Sequence, residues 1–118
     1  MRRYCLALDL EDNPETIARY KASHQAVPLV IEESIRGAGI QVMEIYLTGN
    51  RLFMIMEVAD DFSFEKKARM DASNKNVKEW EAKMGSFQKS LPWAAPGEKW
   101  VLMEQIFSLE ESQSSNRK

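Results

Sequence analysis

A single α+β domain is what the 118-residue chain predicts, on three observations. Its first ten residues alternate apolar and less apolar side chains, as a half-buried strand does. Two apolar, β-branched-rich runs in the middle flank a Gly-Asn pair, the composition of a hairpin. Around these, charged segments carry apolar residues at three- and four-residue spacing, the mark of helices with one buried face. The length suits one core rather than two, so one domain is expected over residues 1–111, with a disordered tail over 112–118.

In the first strand Tyr4, Leu6, Leu8 and Leu10 alternate with Cys5, Ala7 and Asp9. Asn13 then supplies an N-cap, Pro14 a residue suited to the first helical position, and Glu15 an acid where the helix dipole favours one. A helix is expected from about Pro14 to about Gln25. Pro28 must interrupt it, having no N–H and a ring that clashes with the preceding turn, but can open a second helix to Arg36, supported by Leu29, Ile31 and Ile35 and ended by Gly37 and Gly39. The runs Ile40 to Leu47 and Leu52 to Ala59 form the hairpin, joined by Thr48-Gly49-Asn50-Arg51. From Phe62 to Leu91, the spacing of Phe64, Ala68, Val77, Trp80, Met84 and Phe87 predicts one or two helices, with a break between Met70 and Asn74. Pro92 to Gly97 is a loop, and Trp100 to Leu109 a last strand.

Strand, helices, strand, strand, helices, strand is the βαββαβ order of ferredoxin-like antiparallel sheets, which carry helices on one face. Apolar residues on both faces of the hairpin, among them Met43, Ile45, Phe53 and Ile55, argue that the other face is covered as well. A homodimer is expected.

The composition, 44% hydrophobic and 29% charged with a formal net charge of −2, is that of a globular domain and creates no field attracting phosphate backbones or anionic lipid. Nucleic acid and membrane are therefore not expected partners. One cysteine, Cys5, cannot close an internal disulfide, and with one histidine there is no zinc-type cluster. The apolar run after Met1-Arg2-Arg3 meets Asp9 too soon for a signal peptide, and the cytoplasm is the expected compartment.

His24 lies four residues after Tyr20, on the same helical face. An imidazole exchanges a proton near neutral pH and a phenol can orient a substrate hydroxyl, though spacing alone equally fits a capping histidine at a helix end. Trp80 offers a flat apolar surface of the kind on which sugar rings stack, with Glu81 beside it; its spacing with Val77 and Met84 is also that of a buried helix face. Glu44 and Glu57 interrupt apolar strands and belong either to a site or to a solvated face. Cys5 reads as a small core residue.

The Tyr20-x-x-x-His24 pair, Pro28, Glu44-Ile45-Tyr46-Leu47, Leu52-Phe53, Trp80 and Gln105-Ile106-Phe107 stand in the order and spacing of the L-rhamnose mutarotases, which the chain resembles over roughly residues 3 to 109. The resemblance implies a ferredoxin-like fold in a dimeric α/β-barrel type assembly, and cofactor-free interconversion of the α and β anomers of a monosaccharide. It makes His24 the acid/base histidine, Tyr20 a substrate-binding tyrosine and Trp80 the first of a tryptophan pair. Met43 stands where the family has a tyrosine, and Glu81 where it has the second tryptophan. The resemblance implies L-rhamnose or a related 6-deoxy or other pyranose sugar as substrate, while these two substitutions change which sugar hydroxyls find partners. A non-catalytic sugar-binding protein and a small monooxygenase-like enzyme are the alternatives that the same fold allows.

Overall fold

Strand β1, Arg2–Leu10, runs through the middle of the sheet, and its alternation decides the two faces. The computed structural model describes residues 2–110. Residues Leu6, Leu8 and Leu10 point toward the helices, Cys5, Ala7 and Asp9 to the opposite, outer face. Helix α1, Pro14–Ser23, starts where expected: the Asn13 side chain accepts from the backbone N–H groups of Glu15 and Thr16 at 2.9 and 3.2 Å. It stops two residues short of Gln25, because the backbone N–H of His24 turns back in a tight terminal turn to Lys21. Helix α2, Leu29–Gly37, follows directly on Pro28, and Gly39 at φ +96° turns the chain into the sheet.

Strands β2, Ile40–Thr48, and β3, Arg51–Val58, form the hairpin, with Thr48 opposite Arg51 and positive φ at Gly49 alone. That pattern suits a two-residue loop with glycine first. Asn50 exchanges two hydrogen bonds with Leu10, its backbone carbonyl accepting at 2.7 Å and its side chain donating at 2.9 Å, which locks the turn to the end of β1. A register shift between Ile40 and Val42 inserts one extra residue. Because of it, Ile40 and Met43, three apart in sequence, both face the helices.

Helices α3, Phe64–Ala72, and α4, Lys75–Gly85, are separated at Ser73-Asn74, inside the anticipated break, and start on the side chains of Ser63 and Asn74. The end of the chain departs most from expectation. In place of one strand from Trp100 to Leu109 there are two short ones, β4, Gln88–Lys89, and β5, Val101–Leu102, both paired with β1. The Pro-containing loop between them splits the fourth ferredoxin-like strand. After Met103 donates to the Cys5 carbonyl the chain leaves the sheet; Ile106 and Phe107 are adjacent and cannot share one face of a strand. The tail over 112–118 lies outside the described residues.

Among the described residues the sheet order is β2-β3-β1-β4, with β5 also on β1, and every pairing is antiparallel: a ferredoxin-like fold with helices α1 to α4 packed on one face. Two buried clusters lie between sheet and helices, one around Leu6, Ile40, Met54, Met56, Val58 and Phe62, the other around Leu10, Tyr20, Leu52 and Met84. No helix among the described residues is long and apolar enough to cross a membrane.

Candidate active site

Between the two clusters the sheet and helices line a solvent-open cavity of about 670 Å³. That is within the range that holds a small ligand. Its floor is aliphatic, with Leu6, Met54 and Met56 from the sheet, and Ile31 and Ile35 close it from α2. Tyr20, His24, Met43, Trp80 and Glu81, the residues singled out from the sequence, all border this one space.

Helix α1 ends in the site. Tyr20, only 4% exposed, packs against Leu10, Leu52 and Met84. Nδ1 of His24 lies 2.9 Å from the Tyr20 backbone carbonyl oxygen. A carbonyl only accepts, so Nδ1 carries the proton in that bond, and Nε2 is the nitrogen through which the ring can take or give one. The two rings lie 4.4 Å apart, and the His24 ring meets Trp80 edge-on at 5.6 Å. One helical turn thus sets a phenol and an imidazole side by side, and α4 adds an indole to them.

Burial pushes the Tyr20 phenol above its ordinary pKa, and a hydrogen bond with the Gln88 side chain draws it partly back. The phenol therefore stays neutral well beyond physiological pH and can act as a hydrogen-bond donor. Met43 enters from β2 by way of the bulge, and Glu81, exposed, stands at the solvent side of the cavity near Trp80. Lys83 lies over the Trp80 ring, 6.0 Å from its centroid.

Glu44 and Glu57 are not part of this arrangement. They project on the outer face, Glu44 accepting from the Tyr46 hydroxyl at 3.2 Å and Glu57 pairing with Arg3 at 3.5 Å. Cys5, also on that face, is only partly buried rather than a core residue. Trp93 stands outside the cavity, against the Arg51 guanidinium at 5.2 Å. The structure also brings in Gln88 from β4, Lys99 and Trp100 from the approach to β5, and the Lys67–Asp71 ion pair of α3. The first three reach the cavity because β4 and β5 flank β1, a pairing invisible in local sequence. Among the described residues no three His, Cys, Asp or Glu side chains gather as a metal-binding group.

The sequence matches the L-rhamnose mutarotase family model over residues 3–109. The chain belongs to the L-rhamnose mutarotase family. It is 43% identical over 117 residues to the L-fucose mutarotase of Xanthomonas campestris pv. campestris, covering 97% of this chain and 93% of that one. The fold superposes on the crystal structure of an L-rhamnose mutarotase from Formosa agariphila with a TM-score of 0.68 at 19% identity, covering 92% of this chain and 99% of that one. A dimeric ferredoxin-like protein from an uncultured marine organism superposes with a TM-score of 0.51 at 14% identity, covering 90% of each chain. Both solved structures share the helix-on-sheet fold. Membership of the mutarotase family makes an isomerase-type, sugar-directed activity the frame in which the Tyr20, His24 and Trp80 geometry is to be understood.

Proposed function

We propose that the chain is a sugar 1-epimerase that interconverts the α and β anomers of a 6-deoxy-L-hexose by acid/base ring opening, with His24 as its proton-transfer group. The observation that carries this reading is the Nδ1 contact to the Tyr20 carbonyl, which orients the imidazole and leaves Nε2 for chemistry within the cavity. Mutarotation needs a proton delivered to the ring oxygen as the bond from that oxygen to C1 breaks, and the anomeric hydroxyl proton removed as the aldehyde forms. Protonated His24 gives its Nε2 proton to the ring oxygen, and a carboxylate or water accepts the hydroxyl proton. Glu81, at the rim, is the carboxylate assigned to that second role. Rotation about C1–C2 exposes the other face of the carbonyl, and the same transfers in reverse close the ring.

Tyr20 donates to a sugar hydroxyl and Trp80 packs on an apolar face of the ring. Met43 and the aliphatic floor suit a methyl group better than a hydroxymethyl, consistent with a 6-deoxy sugar. The 43% identity to an L-fucose mutarotase supports L-fucose ahead of L-rhamnose. Saturation-transfer NMR of anomer exchange, run across L-fucose, L-rhamnose and other pyranoses, tests the proposal. Wild-type protein is expected to accelerate exchange, and His24→Ala to lose about 10²- to 10⁴-fold of it. Exchange with no sugar, or an unaffected His24→Ala variant, would refute the assignment.

The homodimer belongs to the same proposal. Val42, Tyr46, Phe53 and Ile55 line the outer face of the sheet, and Ile106 and Phe107, 90% and 67% exposed, extend beyond β5. A second copy is the partner that the likeness to a dimeric ferredoxin-like protein supports for these surfaces.

A further inference from the structure

Helix α3 turns charged residues inward. Lys67, Met70 and Asp71, at the i, i+3, i+4 spacing of one helical stripe, are its half-buried residues, whereas Ala68 is exposed and no residue of the helix is fully buried. Lys67 and Asp71 line the cavity, with Lys67 donating to Oδ2 of Asp71. Their side chains are 25% and 15% exposed, against 66% and 83% for Arg69 and Glu65, the equally spaced ion pair on the solvent side of the same helix. A helix over a largely aliphatic cavity gains stability from apolar residues in its inward stripe. An ion pair drawn out of water there loses in hydration about what it gains in attraction, and apolar residues of similar size would hold the fold as well or better. The fold therefore does not account for the pair, and the ring-opening proton transfers use neither member.

The pair offers the cavity donors and acceptors side by side. Lys67 uses one of its three N–H groups on Asp71, and the carboxylate has lone pairs beyond the one that this bond engages. Among the described residues neither side chain has another hydrogen-bond partner. A sugar hydroxyl both donates and accepts, so two neighbouring hydroxyls match the pair, one giving its proton to the carboxylate and one taking an N–H from the ammonium. We propose that Lys67 and Asp71 are substrate-binding residues that recognise a vicinal diol of the pyranose, a specificity element separate from the proton transfer at His24. Hydrogen bonds to charged groups discriminate strongly, because an analogue lacking the hydroxyl leaves the charge in the cavity without its partner. The site then selects by the position of the diol, where Trp80 and the aliphatic floor select by shape. This inference rests on the sugar-directed reading of the cavity, but on binding alone and not on turnover.

Protein-observed NMR titration gives Kd for L-fucose, L-rhamnose and analogues of each that lack one non-anomeric ring hydroxyl, with anomer exchange measured on the same samples. Lys67→Met/Asp71→Leu removes the pair without stranding a charge, and is expected to melt at or above the wild-type temperature while binding the parent sugar about 100-fold more weakly. Asp71→Asn should weaken binding of the parent sugar about 10-fold and add nothing for the analogue lacking the hydroxyl that Asp71 holds. Lys67→Met should behave in the same way toward the adjacent hydroxyl. Glu65→Ala/Arg69→Ala, which removes the solvent-facing pair of the same helix, should bind as wild type does. A wild-type Kd in Lys67→Met/Asp71→Leu, an Asp71→Asn effect equal across all analogues, or an equal loss on removing Glu65 and Arg69 would overturn the proposal. So would a lowered kcat at unchanged Kd in Asp71→Asn, which would make that carboxylate a proton acceptor instead. If wild-type protein binds a sugar without exchanging its anomers, the mutarotase reading falls while the Kd comparison still decides the role of the pair; binding of neither sugar removes both.

Discussion

Residue 20 joins the end of a helix to the chemistry of the site, since one backbone carbonyl orients His24 and one phenol faces the cavity. Its burial has a consequence for stability at alkaline pH. The folded-state pKa of the phenol is raised, so below about pH 10 folded and unfolded chains alike hold the proton and stability is at its full value. Above that the unfolded chain releases the proton first, and stability falls by up to about 1.4 kcal/mol per pH unit until the folded phenol also titrates. Melting temperatures measured from pH 8 to 11.5 should drop less steeply for Tyr20→Phe than for wild type. A second residue-scale expectation concerns Asp9, 5% exposed on the outer face, where Arg51 donates to its two oxygens at 2.8 and 3.1 Å. Arg51→Met strands that carboxylate. With half of the arginine in solvent, a lowered midpoint of urea unfolding is expected, by less than a fully buried pair would lose.

At the scale of elements, the cues that the chain carries locally were legible. Asn13-Pro14 opened α1, Pro28 separated α1 from α2, and Gly49-Asn50 turned the hairpin, since capping and turn chemistry involve only a few neighbouring residues. Asn74 acts the same way for α4, accepting from the N–H groups of Asn76 and Val77 at 3.0 and 3.2 Å. Asn74→Ala should cost about 1 kcal/mol, seen as a fall of roughly 4–8 °C in melting temperature. The bulge at the start of β2 and the splitting of the last strand were not legible. A bulge appears only when a strand is laid against its partner, and β4 is two residues long, too short for any alternation to be visible. Both decide the site: the bulge turns Met43 inward, and β4 delivers Gln88.

For the molecule as a whole, one face of the sheet is covered by helices and the other presents Phe53, Ile55 and Tyr46. If a second copy covers it, light scattering after size-exclusion chromatography will give twice the chain mass, and Ile55→Lys, which places a charge in the middle of that face, will give a monomer. A wild-type monomer at tens of micromolar would remove the dimer from the proposed function.

By itself the sequence determined what is local: the element order as far as α4, the caps and turns, and the placement of Tyr20 and His24 one helical turn apart. It also carried a resemblance that the family match bears out over residues 3–109. The tertiary structure alone decided which way each strand residue faces, which placed Glu44 and Glu57 outside and Met43 inside. It likewise brought Gln88, Lys99 and Trp100 to a cavity built around α1 and α4. The physical reason is range. Helix periodicity and capping are settled within a few residues, whereas strand parity, bulges and the company that a side chain keeps depend on pairings between segments far apart in the chain.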